Sequence, residues 1–173
     1  MNPKLYWIKS PFQGRLAISA RPRGGDWLEN EIAGWRGQGI DAVVSLLTPS
    51  ENDELDLKEE PRLAGANGIQ FFSLPVEDRQ VPKAASKLEA LVSQLVAELQ
   101  SGNSVAIHCR QGIGRSSLLS AALLISAGED VEQALAAISK SRGLEVPETS
   151  EQRSWLQQFA RAHASPSLSR PGR

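Results

Sequence analysis

The sequence predicts a single α/β domain: a mostly parallel central sheet flanked by helices, with a glycine-rich loop between a strand and a helix. Three observations predict it. The chain has 173 residues, the size of one ordinary domain. Short β-branched apolar runs alternate with longer segments of helical period, the pattern of strands joined by crossover helices. The last such run leads into a glycine-rich segment, Gly112-Ile113-Gly114, that opens an apolar helix. The domain is expected to span residues 1–164, with 165–173 (Ser-Pro-Ser-Leu-Ser-Arg-Pro-Gly-Arg) a disordered tail.

Each element follows in order. Leu16 to Ser19 is a short strand-like run before the turn signal Arg21-Pro22-Arg23-Gly24-Gly25. Asp26 with Glu29 three residues on predicts a capping box and a helix start. That helix buries Leu28, Ile32 and Trp35 and ends at Gly37 to Gly39. Asp41 to Leu47 is an apolar run bounded by Thr48-Pro49, as in a buried strand. The acidic 51–60 segment predicts one short exposed helix, and Ile69 to Leu74 a further strand. After the polar loop from Val76 to Pro82, Leu88, Leu91, Val92, Leu95 and Leu99 recur at helical spacing. Ser104 to His108 is again strand-like. Ser117 to Ala127 is apolar nearly all round, so that helix should be central and buried. Asp130 with Gln133 caps a helix that buries Val131, Leu135 and Ile138. Thr149 with Gln152 caps a last one through Trp155, Leu156 and Phe159.

Composition narrows the function. Net charge is −1, so no general affinity for nucleic acid or anionic membrane is expected. No window approaches the run of about 18 apolar residues that a membrane span needs, and the start of the chain lacks a secretory core. The single cysteine cannot form an internal disulfide, a multi-cysteine zinc site or a two-thiol relay. A reducing, cytoplasmic setting, a monomer, and no metal or cofactor are the expectations. Charge is uneven. Residues 1–25 carry Lys4, Lys9, Arg15, Arg21 and Arg23 with no acid, and residues 51–60 carry six acids against Lys58. Both are read as solvated surface, the alternative being a basic segment near an anionic substrate.

The chemistry concentrates in His108-Cys109-Arg110-Gln111-Gly112-Ile113-Gly114-Arg115-Ser116. The segment lies at the carboxyl end of a buried strand, where open α/β sheets bind ligands. Glycines let successive N–H groups turn inward, and the following helix adds free N–H groups and its positive end. Residues 110–115 therefore form a cradle for a tetrahedral oxyanion, and Arg115 adds a bidentate fork. These groups favour the thiolate of Cys109, a nucleophile for covalent catalysis.

Histidine, cysteine, five residues, arginine and serine resemble the signature of the cysteine-dependent protein phosphatases. Short length and strand order are most similar to their dual-specificity branch, and within it to proteins like the cyclin-dependent kinase inhibitor 3 phosphatase. The resemblance spans roughly residues 5–163 and is specific in the loop. It implies a general acid, matched by Asp78, 31 positions before Cys109 with Pro82 four residues later; Glu77 is the competing carboxylate. It also implies that Ser116 assists departure of the thiolate and that His108 holds the loop and tunes the cysteine. Gln152 resembles the glutamine that positions water in larger relatives, but aligned on Thr149 that place falls on Glu148, and Gln152 has a sufficient job as a cap.

The implied reaction is hydrolysis of phosphotyrosine, and of phosphoserine or phosphothreonine, on a phosphorylated protein through a phosphocysteine. Relatives acting on phosphoinositides favour basic residues at the first and fourth variable loop positions; here Arg110 is basic and Ile113 is not. A phosphoinositide or other small phosphomonoester is the alternative substrate. Sulfur transfer uses a shorter loop, and arsenate reduction would need a partner thiol. A non-catalytic phosphate-binding module would be expected to lack Cys109, Arg115 or Asp78.

Overall fold

The computed structural model describes residues 2–163; the tail predicted from Ser165 lies outside the described residues. The strands are β1 (Leu5–Ile8), β2 (Leu16–Ser19), β3 (Ala42–Ser45), β4 (Gln70–Ser73) and β5 (Val105–His108). The helices are α1 (Leu28–Gly37), α2 (Pro49–Glu54), α3 (Glu60–Ala66), α4 (Ala85–Gln100), α5 (Gly114–Ser126), α6 (Val131–Arg142) and α7 (Ser150–His163). One five-stranded sheet runs in the order β1-β2-β5-β3-β4. Only the β1–β2 pairing is antiparallel. The α/β architecture with a mostly parallel sheet is therefore as predicted.

Strand alternation builds two cores, one on each face. Ala42, Val44, Val105 and Ile107 point into a cluster with α4, α5, α6 and α7. Val43 and Ala106 point the other way, against Leu28, Ile32 and Trp35 of α1 and Ala64 of α3. Strands buried on both faces read as continuous apolar runs, as seen here. The predicted stripe of α4 (Leu88, Leu91, Val92, Leu95, Leu99) is its buried face. Helix α5 is buried from Gly114 to Ile125, as its apolar sequence requires.

Four details differ from the sequence reading. Strand β1 was not foreseen; it is a half-buried edge strand. Asp26 does not cap α1. A 3-10 turn, Gly25–Trp27, precedes the helix, and the residue at its N-cap, Trp27, makes no side-chain cap bond. The acidic 51–60 segment is not one exposed helix. It is the end of α2, a loop and the start of α3, with Glu51 and Glu60 buried. Thr149 does accept from Gln152 N at 3.1 Å, but the Gln152 side chain leaves the cap for other partners. The Asp130–Gln133 capping box forms as predicted.

Candidate active site

His108 ends β5, the middle strand, in register with Ser19 of β2 and Ser45 of β3. Cys109 therefore emerges at the carboxyl edge of the sheet and is buried. Between Cys109 and α5 the chain turns tightly. Gly112 has φ +68°, and a Cβ there would lie 2.7 Å from Ser19 O, so both its conformation and its close approach to β2 require glycine. No backbone N–H from Arg110 to Ser116 donates to a protein acceptor among the described residues. This loop and the first turn of α5 thus offer a set of free N–H groups. They border a cavity of about 190 Å³ lined by Asp78, Cys109, Gln111, Ile113, Gly114 and Arg115, with Arg79, Arg110 and Glu148 completing its wall.

Arg115 is buried, and Glu51 orients it. Its Nη1 donates to Glu51 Oε2 at 2.7 Å and to Val76 O at 2.9 Å. Its Nη2 donates to Glu51 Oε1 at 2.9 Å. A guanidinium has five N–H donors, so Nε–H and one Nη2–H remain for an oxyanion. Asp78 Oδ1 lies 3.3 Å from Nη2, which brings the predicted acid to the predicted arginine. Burial alone would lower the Arg115 value, but the Glu51 bonds and the Cys109 charge outweigh it and hold the guanidinium above its ordinary range. Burial pushes Glu51 up, yet the bonds from Arg115 and Thr48 dominate and hold its carboxyl below the usual value. Glu51 is itself fixed by a capping box with Thr48 at the start of α2.

The other candidate residues surround this core with different partners. His108 Nε2 lies 2.7 Å from Glu60 Oε1, with both side chains buried. His108 Nδ1 faces Cys109 O at 3.4 Å. Ser116 Oγ is buried without a hydrogen-bond partner among the described residues. Gln111 is exposed at the rim. Arg110 turns to Glu54, donating from Nη2 at 2.6 Å, and that bond holds its value above the ordinary range. Glu77 and Asp78 are both exposed, but only Asp78 lines the cavity. The basic segment 1–25 does not line the cavity either. Arg15 lies over Trp7, and Arg23 pairs with Glu31.

Sequence reasoning missed several supports. Glu51 and Glu60 were read as solvated acids, although Thr48-Pro49-Ser50-Glu51 has capping-box spacing with proline at N1, a usable signal. Gln152 is fully buried. Its Oε1 accepts from Glu148 N at 3.1 Å and its Nε2 donates to Gln80 O at 3.3 Å. It therefore ties the loop that carries Asp78 to α7. That loop turns at Glu77 to Gln80, closed by Gln80 N to Glu77 O at 3.0 Å. Arg79 adopts φ +60° there, a conformation that costs a side-chain-bearing residue about 1–2 kcal/mol. Arg142 Nε donates to Gly112 O at 2.6 Å and braces the loop from α6. Nothing local in the sequence links Arg142 to the site, or Gln152 to the backbone of Gln80 that it holds.

Comparison with known proteins agrees with this geometry. The family model for the dual specificity phosphatase catalytic domain matches residues 33–162. Cyclin-dependent kinase inhibitor 3 of Sus scrofa is 35% identical over 123 residues, covering 70% of this chain and 58% of the relative. The chain thus spans under two thirds of the length of that curated relative. Among solved structures, kinase associated phosphatase superposes with TM-score 0.83 at 20% identity, covering 96% of this chain and 98% of the other. The active form of Tk-PTP gives 0.74 at 26% identity, covering 92% and 97%. No described helix is long and apolar enough to cross a membrane. By its sequence, its fold and the loop around Cys109, the chain belongs to the dual-specificity phosphatase catalytic-domain family.

Proposed function

We propose that this chain hydrolyses phosphate monoesters on proteins through a phosphocysteine, accepting phosphotyrosine and phosphoserine or phosphothreonine. One observation carries the reading. Arg110, Gln111, Ile113, Gly114 and Arg115, whose backbone N–H groups are unbonded, line one small cavity together with Cys109 and Asp78. Cys109 Sγ attacks phosphorus, and the bond to the leaving oxygen breaks. The loop N–H groups and Arg115 hold the equatorial oxygens, where charge spreads in the transition state. Asp78 gives its proton to the leaving oxygen, then takes one from the water that attacks the phosphocysteine. As the P–S bond breaks, Ser116 Oγ–H, otherwise unpartnered, donates to the departing thiolate. In the kinase associated phosphatase structure the catalytic-site cysteine is replaced by serine, which supports Cys109 for that role. A reducing compartment suits a lone catalytic thiol.

A phosphorylated protein is the partner in this reading. A phosphoinositide headgroup is less well served, because Arg110 is held by Glu54 and Ile113 brings no charge. The test is phosphate release from matched phosphotyrosine and phosphothreonine peptides. The wild type should turn over both, and Cys109→Ser neither. Asp78→Ala should lower the rate by roughly 10²–10⁴, the range for a general acid, while Glu77→Ala should change it little. Turnover by Cys109→Ser would refute the covalent mechanism. Release from phosphoinositides alone would move the substrate class, and binding without release from any substrate would make the chain a phosphate-binding module.

A further inference from the structure

Arg79 is a cation at the mouth of the cavity that the reaction does not use. Of the three arginines in the cavity wall, Arg115 is committed to Glu51 and Arg110 to Glu54. Arg79 has no such bond. Its nearest carboxylate, Glu148 Oε2, lies 3.9 Å from Nη1, beyond hydrogen-bonding range, and its side chain is 65% exposed. Its backbone is in the left-handed region at φ +60°, where glycine or asparagine would sit with less strain. Strain kept at a cavity mouth motivates a functional reading of the side chain that occupies it.

We propose that Arg79 binds an anionic side chain of the substrate, the carboxylate of an aspartate or glutamate flanking the phosphorylated residue. The cavity of about 190 Å³ takes the phosphoryl group and the start of its side chain, so flanking residues must lie across the mouth. Successive Cα atoms are about 3.8 Å apart, which puts a neighbouring side chain within reach of a long arginine on that rim. The position of Arg79 is fixed relative to the loop, because Gln152 holds Gln80 O from α7. Two carboxylates of the chain also face the mouth. Asp78 is matched by Arg115 at 3.3 Å, so Glu148 is the internal competitor for Arg79. The inference rests on the phosphatase reading and narrows its substrate class to phosphoproteins with acidic flanks.

The experiment uses two phosphopeptides that differ only in carrying glutamate or alanine on both sides of the phosphoresidue. Their binding to Cys109→Ser protein is measured, and kcat/KM for the same pair with the wild type. Comparing the pair within one variant cancels any general damage to the loop. The glutamate peptide should be preferred by about two- to fivefold, the range an exposed ion pair supports, and less so as salt rises. Arg79→Gln keeps the backbone demand and removes the charge, so the preference should vanish. Arg79→Lys should retain it, and Glu148→Gln should sharpen it. Equal binding of the two peptides by the Arg79-bearing protein, or a preference that survives Arg79→Gln, would overturn the proposal. Arg79-dependent preference in binding without phosphate release would refute the phosphatase reading while upholding Arg79 as the contact for acidic flanks of a bound phosphopeptide. Turnover of both peptides at equal rates would refute this one alone.

Discussion

Glu51 does the least visible work in the site. It fills two donor positions of Arg115 and so aims the remaining edge at the cavity. Its folded-state value lies below the ordinary 4.5 for glutamate, so the unfolded chain takes up a proton at higher pH than the folded one. The resulting increment of stability is complete above about pH 4.5, shrinks as pH falls through that region, and is gone below the folded value. Glu51→Gln should therefore be less stable than the wild type at neutral pH, and the gap should close on acidification. Chemical denaturation of both proteins across that range measures it; a gap that stays constant with pH would show that the lost charge is not its cause. At this scale the sequence was legible wherever the chemistry is local. Cys109, Arg115, Ser116 and His108 lie within one short segment, and Asp78 is what the family resemblance implies at its offset from Cys109. Glu51 and Glu60 act on partners 64 and 48 positions away, so spacing shows neither contact. The capping-box spacing from Thr48 marks Glu51 as the start of a helix, and Glu60 is one acid in an acidic run.

Among the elements, the loop between β5 and α5 and the short helix α3 respond in opposite ways to the same change. Gly112 has φ +68°, and an added Cβ would press within 2.7 Å of a backbone oxygen of β2. Backbone cannot swing aside as a side chain end can. Gly112→Ala should cost about 1–3 kcal/mol of stability and a larger fraction of activity, since the loop N–H groups must move with it. Gly65 lies in α3 with nothing within 4 Å of its Cβ position, so Gly65→Ala should stabilise by about 0.5 kcal/mol. Thermal melts of both variants beside the wild type read the two signs. Helices were legible where burial is one-sided over several turns, as in α4, and where a cap is local, as at Asp130–Gln133. The start of α1 was misread because the residues around Asp26 satisfy themselves in a 3-10 turn, Gly25–Trp27, stabilised by Gly25 N to Asp56 O at 3.0 Å. That tertiary bond is invisible in a local pattern.

Across the whole molecule the sheet order was not legible, because β5 pairs with β2 and β3, strands far away in the chain. Edge strand β1 is half-buried, with Tyr6 and Ile8 against one core and Leu5 and Trp7 against the other, and its Leu5-Tyr6-Trp7-Ile8 sequence gives no clean alternation. The two-faced burial of β3 and β5 was legible from their apolar runs, and it has a consequence for the site. The loop after β5 belongs to the face packed by α5, whereas Glu60 rises from α3 on the opposite face to meet His108. Trp35 of α1 packs beside the same imidazole, ring centroids 5.7 Å apart. One buried pair thus couples the far core to the backbone of Cys109. Removing one partner of such a pair leaves the other buried without its match, at a cost of about 3–5 kcal/mol. For a chain of this size that lowers the melting temperature by on the order of 10 °C. Glu60→Ala should show this loss. Glu60→Gln keeps an acceptor for His108 and should recover most of the stability while kcat stays reduced, because the loop is then held with less constraint. If Glu60→Gln melts as low as Glu60→Ala, the carboxylate charge rather than its hydrogen-bonding shape holds the two faces together. If neither variant loses stability, the pair does not couple the far core to the loop.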